Sequence, residues 1–214
     1  MHFLTHPIGL TFANTFRYAL ARRNIMREIG KKLFTVDEYS RMAEVGILHE
    51  DDRVELIEGE IIEMSPIGYR HSGCVARAHE RFIQSLGSTA VVMSQSPLLL
   101  SEWTAPQPDL IVLKPRSDFY DTRTPKAADV LLAVEVSDSS LRYDRDIKVP
   151  LFAAAGTLEV WIEDLQNDLI LVYRDPADGA YKTTLTLHRG DTISPIAFPD
   201  KTFAVDDLLG TVPS

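Results

Sequence analysis

The chain has 214 residues, of which 45% are hydrophobic and 25% charged, and its formal net charge is −9. This composition fits one ordinary soluble domain with a sizeable core and argues against a disordered or fibrous protein. The longest apolar runs, such as residues 130–134, are far shorter than the roughly 20 residues that a membrane helix needs, so we expect no membrane segment.

The first part of the chain differs in charge from the rest. Residues 1–32 contain six basic residues and one acidic residue, which leaves 16 basic and 30 acidic residues elsewhere. We predict a basic N-terminal arm over 1–32 and one domain over 33–214. The arm is typical of a transit peptide or a surface-binding segment, and the alternative is that translation starts at Met26. Because the rest of the chain is acidic, contact with nucleic acid requires a local patch or bound cations.

Cys74 is the only cysteine in the sequence. An internal disulfide and a multi-cysteine zinc site are therefore excluded, and a reducing, cytoplasmic location is favoured. Cys74 lies on the apolar side of a predicted helix, where we expect a small buried side chain without chemistry.

Hydrophobic periodicity and turn residues predict alternating helices and strands. Thr35 and Glu38 form a capping box, and Pro150 should kink its helix or shift the start. The predicted elements are a helix over 36–45, hairpin strands near 53–57 and 60–64, a helix over 71–86, strands within 91–100, 109–113 and 130–137, a helix over 140–155, and strands over 158–165, 168–175 and 180–188 with turns at 166–167 and 176–179. This order predicts an α/β domain with a mixed, mostly antiparallel sheet flanked by helices.

Three acidic residues lie inside or next to apolar strands. They are Glu55 in "RVELIEG", Asp109 in "PDLIVL" and Glu135 in "LLAVEVS". A buried carboxylate is costly unless it is paired, protonated or bound to a cation. Each could also be a surface residue at a strand end, but three such positions together favour a site.

The three acids suggest a site for a hard divalent cation. If the strands of Asp109 and Glu135 are neighbours, both acids can bind Mg²⁺, with Glu55 as a further ligand. Such an ion assists phosphodiester hydrolysis, which also needs a fixed positive charge. Position 137, which shares a strand face with Glu135, is Ser137, so the candidate for that charge is Lys148 in the next helix. From the residues alone, a helix ion pair of Lys148 with Asp144 is the preferred interpretation.

Several ordered segments resemble one known family. They are "RVELIEGEIIEMSPIG..H", "QPDLIVL", "VEVSDSSLRYDRDIKVPLFAAAG" and "EVWIEDL", and they resemble the bacterial Uma-two family of predicted endonucleases. That family belongs to the restriction-endonuclease-like PD-(D/E)XK superfamily. The resemblance runs from about residue 33 to residue 209. It implies a bent mixed sheet flanked by helices and a Mg²⁺-dependent site.

The resemblance also implies roles for individual residues. Asp109 matches the acid of the PD element, Glu135 matches the first acid of the (D/E)XK element, and Glu55 matches the early acid. The lysine expected at 137 is absent, and the family pattern points to Lys148. We expect catalytic roles for these four residues, with the three acids as metal ligands. The residues that we expect to support them are His71, Tyr143, Asp144 and Ser137.

These observations lead to one function and two alternatives. We predict an endonuclease that uses Mg²⁺, or Mn²⁺ in its place, and acts on DNA, with a possible homodimer. The first alternative is an inactive nuclease fold that serves as a binding or scaffold protein, since the lysine at 137 is missing and the body is acidic. The second is a small-molecule phosphohydrolase that uses the same site.

Overall fold

The structure is a computed structural model that describes residues 30–49 and 51–211. Phe34–Ser214 forms one compact unit. The predicted basic arm lies outside the described residues except for residues 30–32. None of the helices within the described residues is both long and apolar enough to cross a membrane.

The three predicted helices are present in the predicted order, the third divided into pieces, and a further short helix, Val205–Leu209, was not predicted. They are α1 (Val36–Glu44), α2 (Tyr69–Leu86), α3 (Leu141–Tyr143), a π-helical segment (Asp144–Lys148), α4 (Val149–Ala154) and α5 (Val205–Leu209). The capping box predicted for α1 is confirmed: Thr35 accepts a hydrogen bond from the Glu38 N–H, and the Glu38 carboxylate accepts one from the Thr35 N–H.

The strands form one large sheet and two small ones. They are β1 (Val54–Ile57), β2 (Glu60–Glu63), β3 (Val91–Ser94), β4 (Leu110–Leu113), β5 (Val130–Ser137), β6 (Glu159–Asp164), β7 (Leu169–Ala177), β8 (Ala180–His188), β9 (Thr192–Ile193) and β10 (Phe203–Ala204). The six-stranded sheet has the order β3-β4-β5-β6-β7-β8, and only its β5–β6 pair is parallel. The predicted mixed, mostly antiparallel sheet is therefore confirmed.

Helices cover both faces of the large sheet. One face packs against α2 and α5 through a core that includes Phe82, Trp161 and Phe203. The other face packs against α4 through Phe152 and Ile162. Because the central strands are covered on both sides, β4 and most of β5 appear in the sequence as continuous apolar runs.

The structure corrects three details of the prediction. Only Val91–Ser94 of the run 91–100 is a strand. β7 continues through Pro176, so the turn is Asp178–Gly179, whose positive φ values of 54° and 74° suit a tight hairpin. The single helix predicted over 140–155 is divided into three joined pieces, and Pro150 lies in the first turn of α4, so the predicted shift of the helix start is confirmed.

Candidate active site

The four predicted catalytic residues meet at one end of the large sheet. β4 begins directly after Asp109 and pairs antiparallel with β5, where Leu110 lies opposite Val134, the residue before Glu135. Lys148 comes from the helical connection after β5, and Glu55 comes from β1. All four side chains line one cavity of about 520 Å³.

A buried lysine lies between two of the acids. Lys148 Nζ is 2.7 Å from Glu135 Oε1 and 3.5 Å from Glu55 Oε2, and each of the three side chains is at most 4% exposed. Burial alone would lower the pKa of Lys148, but the charges of Glu135 and Glu55 outweigh burial and raise it above its ordinary value. The ammonium group therefore stays charged at the end of the sheet.

The positive charge of Lys148 does not fully offset the cost of burying the Glu135 carboxylate. Burial raises the pKa of Glu135 well above its ordinary value; Lys148 opposes this shift, while Asp144 and Asp109 increase it. A carboxylate in this environment is stabilised by additional positive charge, because its ionised form is disfavoured by burial and by neighbouring acids.

Glu55 has hydrogen-bond donors on both oxygens. The Tyr143 hydroxyl donates to Oε1 at 2.9 Å, and the Gln107 N–H donates to Oε2 at 2.9 Å. The Gln107 side chain also donates to the Val54 carbonyl at 3.3 Å. These contacts join β1 to the segment that leads into Asp109. Burial and the Glu55 charge raise the pKa of Tyr143, so its hydroxyl remains a donor.

Asp109 is fixed by a histidine and by the backbone of β5. Its Oδ2 atom lies 3.1 Å from His71 Nε2 and accepts a hydrogen bond from the Val136 N–H at 2.9 Å. Burial lowers the pKa of His71, but the hydrogen bond and charge of Asp109 reverse that shift and raise it overall. His71 belongs to the first turn of α2, whose N-cap residue Gly68 also lines the cavity.

Ser137 and Asp144 form a second layer behind the lysine. The Ser137 hydroxyl donates to Asp144 Oδ2 at 2.7 Å, and the Ser140 hydroxyl donates to the same oxygen. Burial raises the pKa of Asp144, although Lys148 and both hydroxyls counteract the effect. Of the predicted supporting residues, His71 contacts Asp109 and Tyr143 contacts Glu55, whereas Ser137 contacts Asp144, whose negative charge acts on Lys148.

A widened helical turn carries the lysine to the site. The Val149 N–H bonds to the Asp144 carbonyl, five residues back, where a regular α-helix would bond four residues back. Such π-helical turns are rare and are often found at functional sites. Tyr143 lies directly before this segment and Lys148 is its last residue, and both reach Glu55.

Whether a divalent cation fits this site depends on which carboxylate oxygens lack a protein partner. Asp109 Oδ1 and Glu135 Oε2 have no hydrogen-bond or ion-pair partner among residues 30–49 and 51–211. These two hard oxygen donors on one cavity suit Mg²⁺, which keeps several waters and takes only one or two carboxylates. In the described part of the chain, no three His, Cys, Asp or Glu side chains form a preassembled metal site. The fit therefore depends on two carboxylates.

Three further residues of the cavity were missed from sequence. Gln107 holds Glu55 through its backbone N–H, and Arg53 and Arg142 add positive charge to the lining. Because Gln107 contacts Glu55 through its backbone N–H, the residue type at position 107 does not indicate this contact in the sequence. Arg142 lies in "SLRYDRDIK" and Arg53 begins "RVELIEG". Both segments belong to the family resemblance, so the sequence could have suggested these two arginines.

A second buried acid lies on the α2 face of the sheet. Cys74 is fully buried, as predicted, and its thiol donates to Glu163 Oε2 at 2.8 Å. Burial, together with the Asp109 charge, raises the pKa of Glu163 to about 7 in spite of the opposing effects of Cys74, Arg77 and His71. The sequence pattern "EVWIEDL" did not identify Glu163 as a buried carboxyl group.

Comparison with known proteins identifies the family. The model of the Uma2 family, described as "Putative restriction endonuclease", matches residues 36–206. The chain belongs to the Uma2 family. No curated protein matches it.

A solved structure has the same fold as this Uma2 chain. It is a crystal structure from Anabaena variabilis, described as a "putative nuclease belonging to DUF820". It superposes with a TM-score of 0.64 at 17% identity, covering 82% of this chain and 97% of the other. The predicted family and the restriction-endonuclease-like α/β fold are therefore confirmed.

Proposed function

We propose that this Uma2 protein is a metal-dependent endonuclease that hydrolyses phosphodiester bonds, with DNA as its substrate. The observation that carries the proposal is the Lys148 ammonium held 2.7 Å from Glu135 in a cavity that Asp109 also lines. Membership in a family described as restriction endonucleases supports the same chemistry. A fixed cation beside open carboxylate oxygens is what hydrolysis of a charged phosphodiester requires.

Asp109 and Glu135 are the residues that would hold Mg²⁺, or Mn²⁺ in its place, through the oxygens that lack a protein partner. When bound, the ion would acidify a water molecule and withdraw charge from the scissile phosphate. Glu55 remains a predicted third ligand, although both of its oxygens already accept protein hydrogen bonds.

The other residues of the site would orient groups and balance charge. Lys148 would stabilise the negative charge that develops on the phosphate. His71, whose Nε2 contacts Asp109, would transfer a proton or contact a phosphate oxygen. Asp144, supported by Ser137, would keep the lysine end of the cavity in place.

Arg53 and Arg142 are the candidate contacts for phosphates next to the scissile one. Both line the same cavity, and their positive charge offsets an otherwise acidic wall. The Arg53 side chain is itself fixed by a hydrogen bond to the Ser65 carbonyl at 2.7 Å. A local pair of arginines provides the patch that an acidic protein needs in order to approach a polyanion.

The test is plasmid cleavage with Mg²⁺ or Mn²⁺ by the wild-type protein, Asp109→Asn and a matched control, Asp200→Asn. Asp200 is an exposed acid outside the cavity, and within the described residues its ion-pair partner is the neighbouring Lys201. We expect cleavage by the wild type and by the control, and none by Asp109→Asn. Equal cleavage by Asp109→Asn, or no cleavage by any of the three proteins, would contradict the proposal.

A catalytically inactive binding or scaffold protein is the second candidate function. The observation in its favour is that the described residues contain no preassembled site with three metal-ligating side chains. Such a protein would bind Mn²⁺ weakly or not at all in calorimetry, and its melting temperature would not respond to the metal. Sedimentation of the same sample would test the expected homodimer.

A further inference from the structure

Glu55 is more fully occupied by protein contacts than the other two acids. Its Oε1 atom accepts the Tyr143 hydroxyl, and its Oε2 atom accepts the Gln107 N–H and faces Lys148 Nζ at 3.5 Å. An ionised carboxylate has about four acceptor positions, so three contacts nearly saturate it. The side chain is also only 1% exposed.

Asp109 and Glu135 differ from Glu55 in this respect. Each uses a single oxygen for its protein contacts, Oδ2 in Asp109 and Oε1 in Glu135. The second oxygen of each has no partner within the described ranges 30–49 and 51–211. The two acids of the large sheet are therefore suited to an additional cation, and the acid of the hairpin is not.

We infer that Glu55 is the counter-ion that positions Lys148 and is not a metal ligand, and that Tyr143 is a positioning residue that fixes Glu55. The inference rests on the proposed nuclease function, and it changes the role predicted for Glu55. In this arrangement Glu55 and Glu135 share the positive charge of Lys148. The three acids, including Asp109, and the one lysine then keep a formal net charge of −2 (three negative and one positive), which suits one divalent ion.

The position of Lys148 between two carboxylates explains why a counter-ion is needed. With Glu135 alone, the ammonium would be held from one side and would neutralise the carboxylate that the cation requires. Glu55 attracts the same ammonium from β1, at 3.5 Å. Lys148 is thereby shared, and its position no longer depends on Glu135 alone.

The widened turn brings Tyr143 and Lys148 to the same carboxylate. In a regular α-helix, residues five apart point about 140° away from each other, because each residue turns the helix by about 100°. The π-helical segment Asp144–Lys148 reduces this separation, and both side chains contact Glu55. Tyr143 donates to Oε1, which leaves Oε2 directed at the lysine.

The first experiment measures Mn²⁺ binding by calorimetry in the wild type, Glu55→Gln and Asp109→Asn. We expect Asp109→Asn to weaken Mn²⁺ binding by at least the roughly tenfold that loss of a supporting residue costs at a metal site. We expect Glu55→Gln to weaken it clearly less, because this change removes a charge near the site but no metal ligand. Equal weakening by Glu55→Gln and Asp109→Asn would overturn the inference while leaving the metal site intact. No Mn²⁺ binding by the wild type would overturn both the proposed function and the inference.

The second experiment compares two tyrosines that donate to the same strand. The Tyr39 hydroxyl donates to the Val54 carbonyl at 2.9 Å, so Tyr39→Phe is a matched control for Tyr143→Phe. We expect Tyr143→Phe to lower kcat about tenfold, which is the effect of one lost positioning contact, and to leave KM and the Mn²⁺ dissociation constant unchanged. Tyr39→Phe should leave kcat unchanged.

A double variant tests whether Tyr143 acts through Glu55. In the Glu55→Gln background, Tyr143→Phe should cause less than a twofold further loss of kcat, because the group that it orients has already been changed. Melting temperatures of all variants would identify any loss of folding. Independent, multiplicative losses, or equal losses from Tyr143→Phe and Tyr39→Phe, would overturn the role of Tyr143.

Discussion

Two buried glutamates on neighbouring strands have very different surroundings. Glu159, at the start of β6, accepts hydrogen bonds at 2.7 Å from Trp161 Nε1, Arg174 Nε and the Ile196 N–H, and both of its oxygens are used. Glu135, on β5, has one ion pair with Lys148 and a second oxygen without a partner in the described ranges. Both side chains are almost completely buried.

The difference separates a structural acid from a candidate catalytic one. Glu159 links β6 to β7 and to the segment that contains Ile196, and its three donors offset the cost of burial. Glu135 keeps part of its acceptor capacity facing a cavity. Burial of an acid therefore says little about function, whereas an oxygen without a donor indicates where a cation or substrate can bind.

The largest expected effect follows from removing the cation of the Glu135 pair. Lys148→Met should lower nuclease kcat on the order of 10²- to 10³-fold, because transition-state charge loses its fixed partner. Arg174→Met, which removes the cation beside Glu159, should leave kcat per folded molecule unchanged. Single-turnover cleavage with the folded fraction measured by circular dichroism would check both. A similar kcat loss in the two variants would break the distinction.

For Glu159, we expect the main effect of a substitution on the stability of the fold and not on kcat. Glu159→Gln turns one oxygen acceptor into a donor that faces N–H groups, so we expect the free energy of unfolding to fall by about 2–4 kcal/mol. Urea denaturation would measure this loss. If Glu159→Gln were as stable as the wild type, the three short hydrogen bonds would not be what compensates its burial.

Glu163 is a third buried acid, and its contribution to stability can be tested by varying the pH. Its folded pKa of about 7 lies above the ordinary value of 4.5, so its contribution to stability is complete below pH 4.5 and is lost as the pH rises through 7. The slope should be about 1.4 kcal/mol per pH unit between these values. Urea denaturation of the wild type and Glu163→Gln across this range isolates the effect from His71. Parallel curves would contradict it.

The smallest predicted effect concerns metal affinity. Because the pKa of Glu135 is raised, its proton should compete with Mn²⁺ already above the usual titration range of a carboxyl group. Mn²⁺ affinity measured by calorimetry should then fall by up to about tenfold per pH unit on acidification. Affinity that stays constant from neutral pH down to pH 4 would exclude Glu135 as a ligand.

Most of the fold could be predicted from local sequence. The capping box at Thr35, the hairpin at Glu58–Gly59 and the apolar run of β5 each depend on short-range chemistry, and their positions agree within a few residues. The limits of β3 could not be predicted in this way, because they depend on pairing with β4. An apolar run by itself does not fix where pairing stops.

The candidate site could be predicted only in part. The buried acids and Lys148 could be identified from their unusual contexts and from the family pattern, and the structure brings them together. The partners of Glu55 could not be predicted, since Gln107 contributes its backbone and Tyr143 comes from a distant helix. Which oxygen of each acid is open to the cavity is a property of three-dimensional packing and not of sequence spacing.

The π-helical segment Asp144–Lys148 has a consequence for recognising such proteins by sequence. Lys148, which lies in a separate helical segment, contacts Glu135 as a lysine at position 137 of the same strand would be expected to do. A pattern search that demands fixed spacing between acid and lysine would overlook this arrangement. Conversely, shortening that helix by one residue would swing the lysine around the axis by about 100° and separate it from both acids.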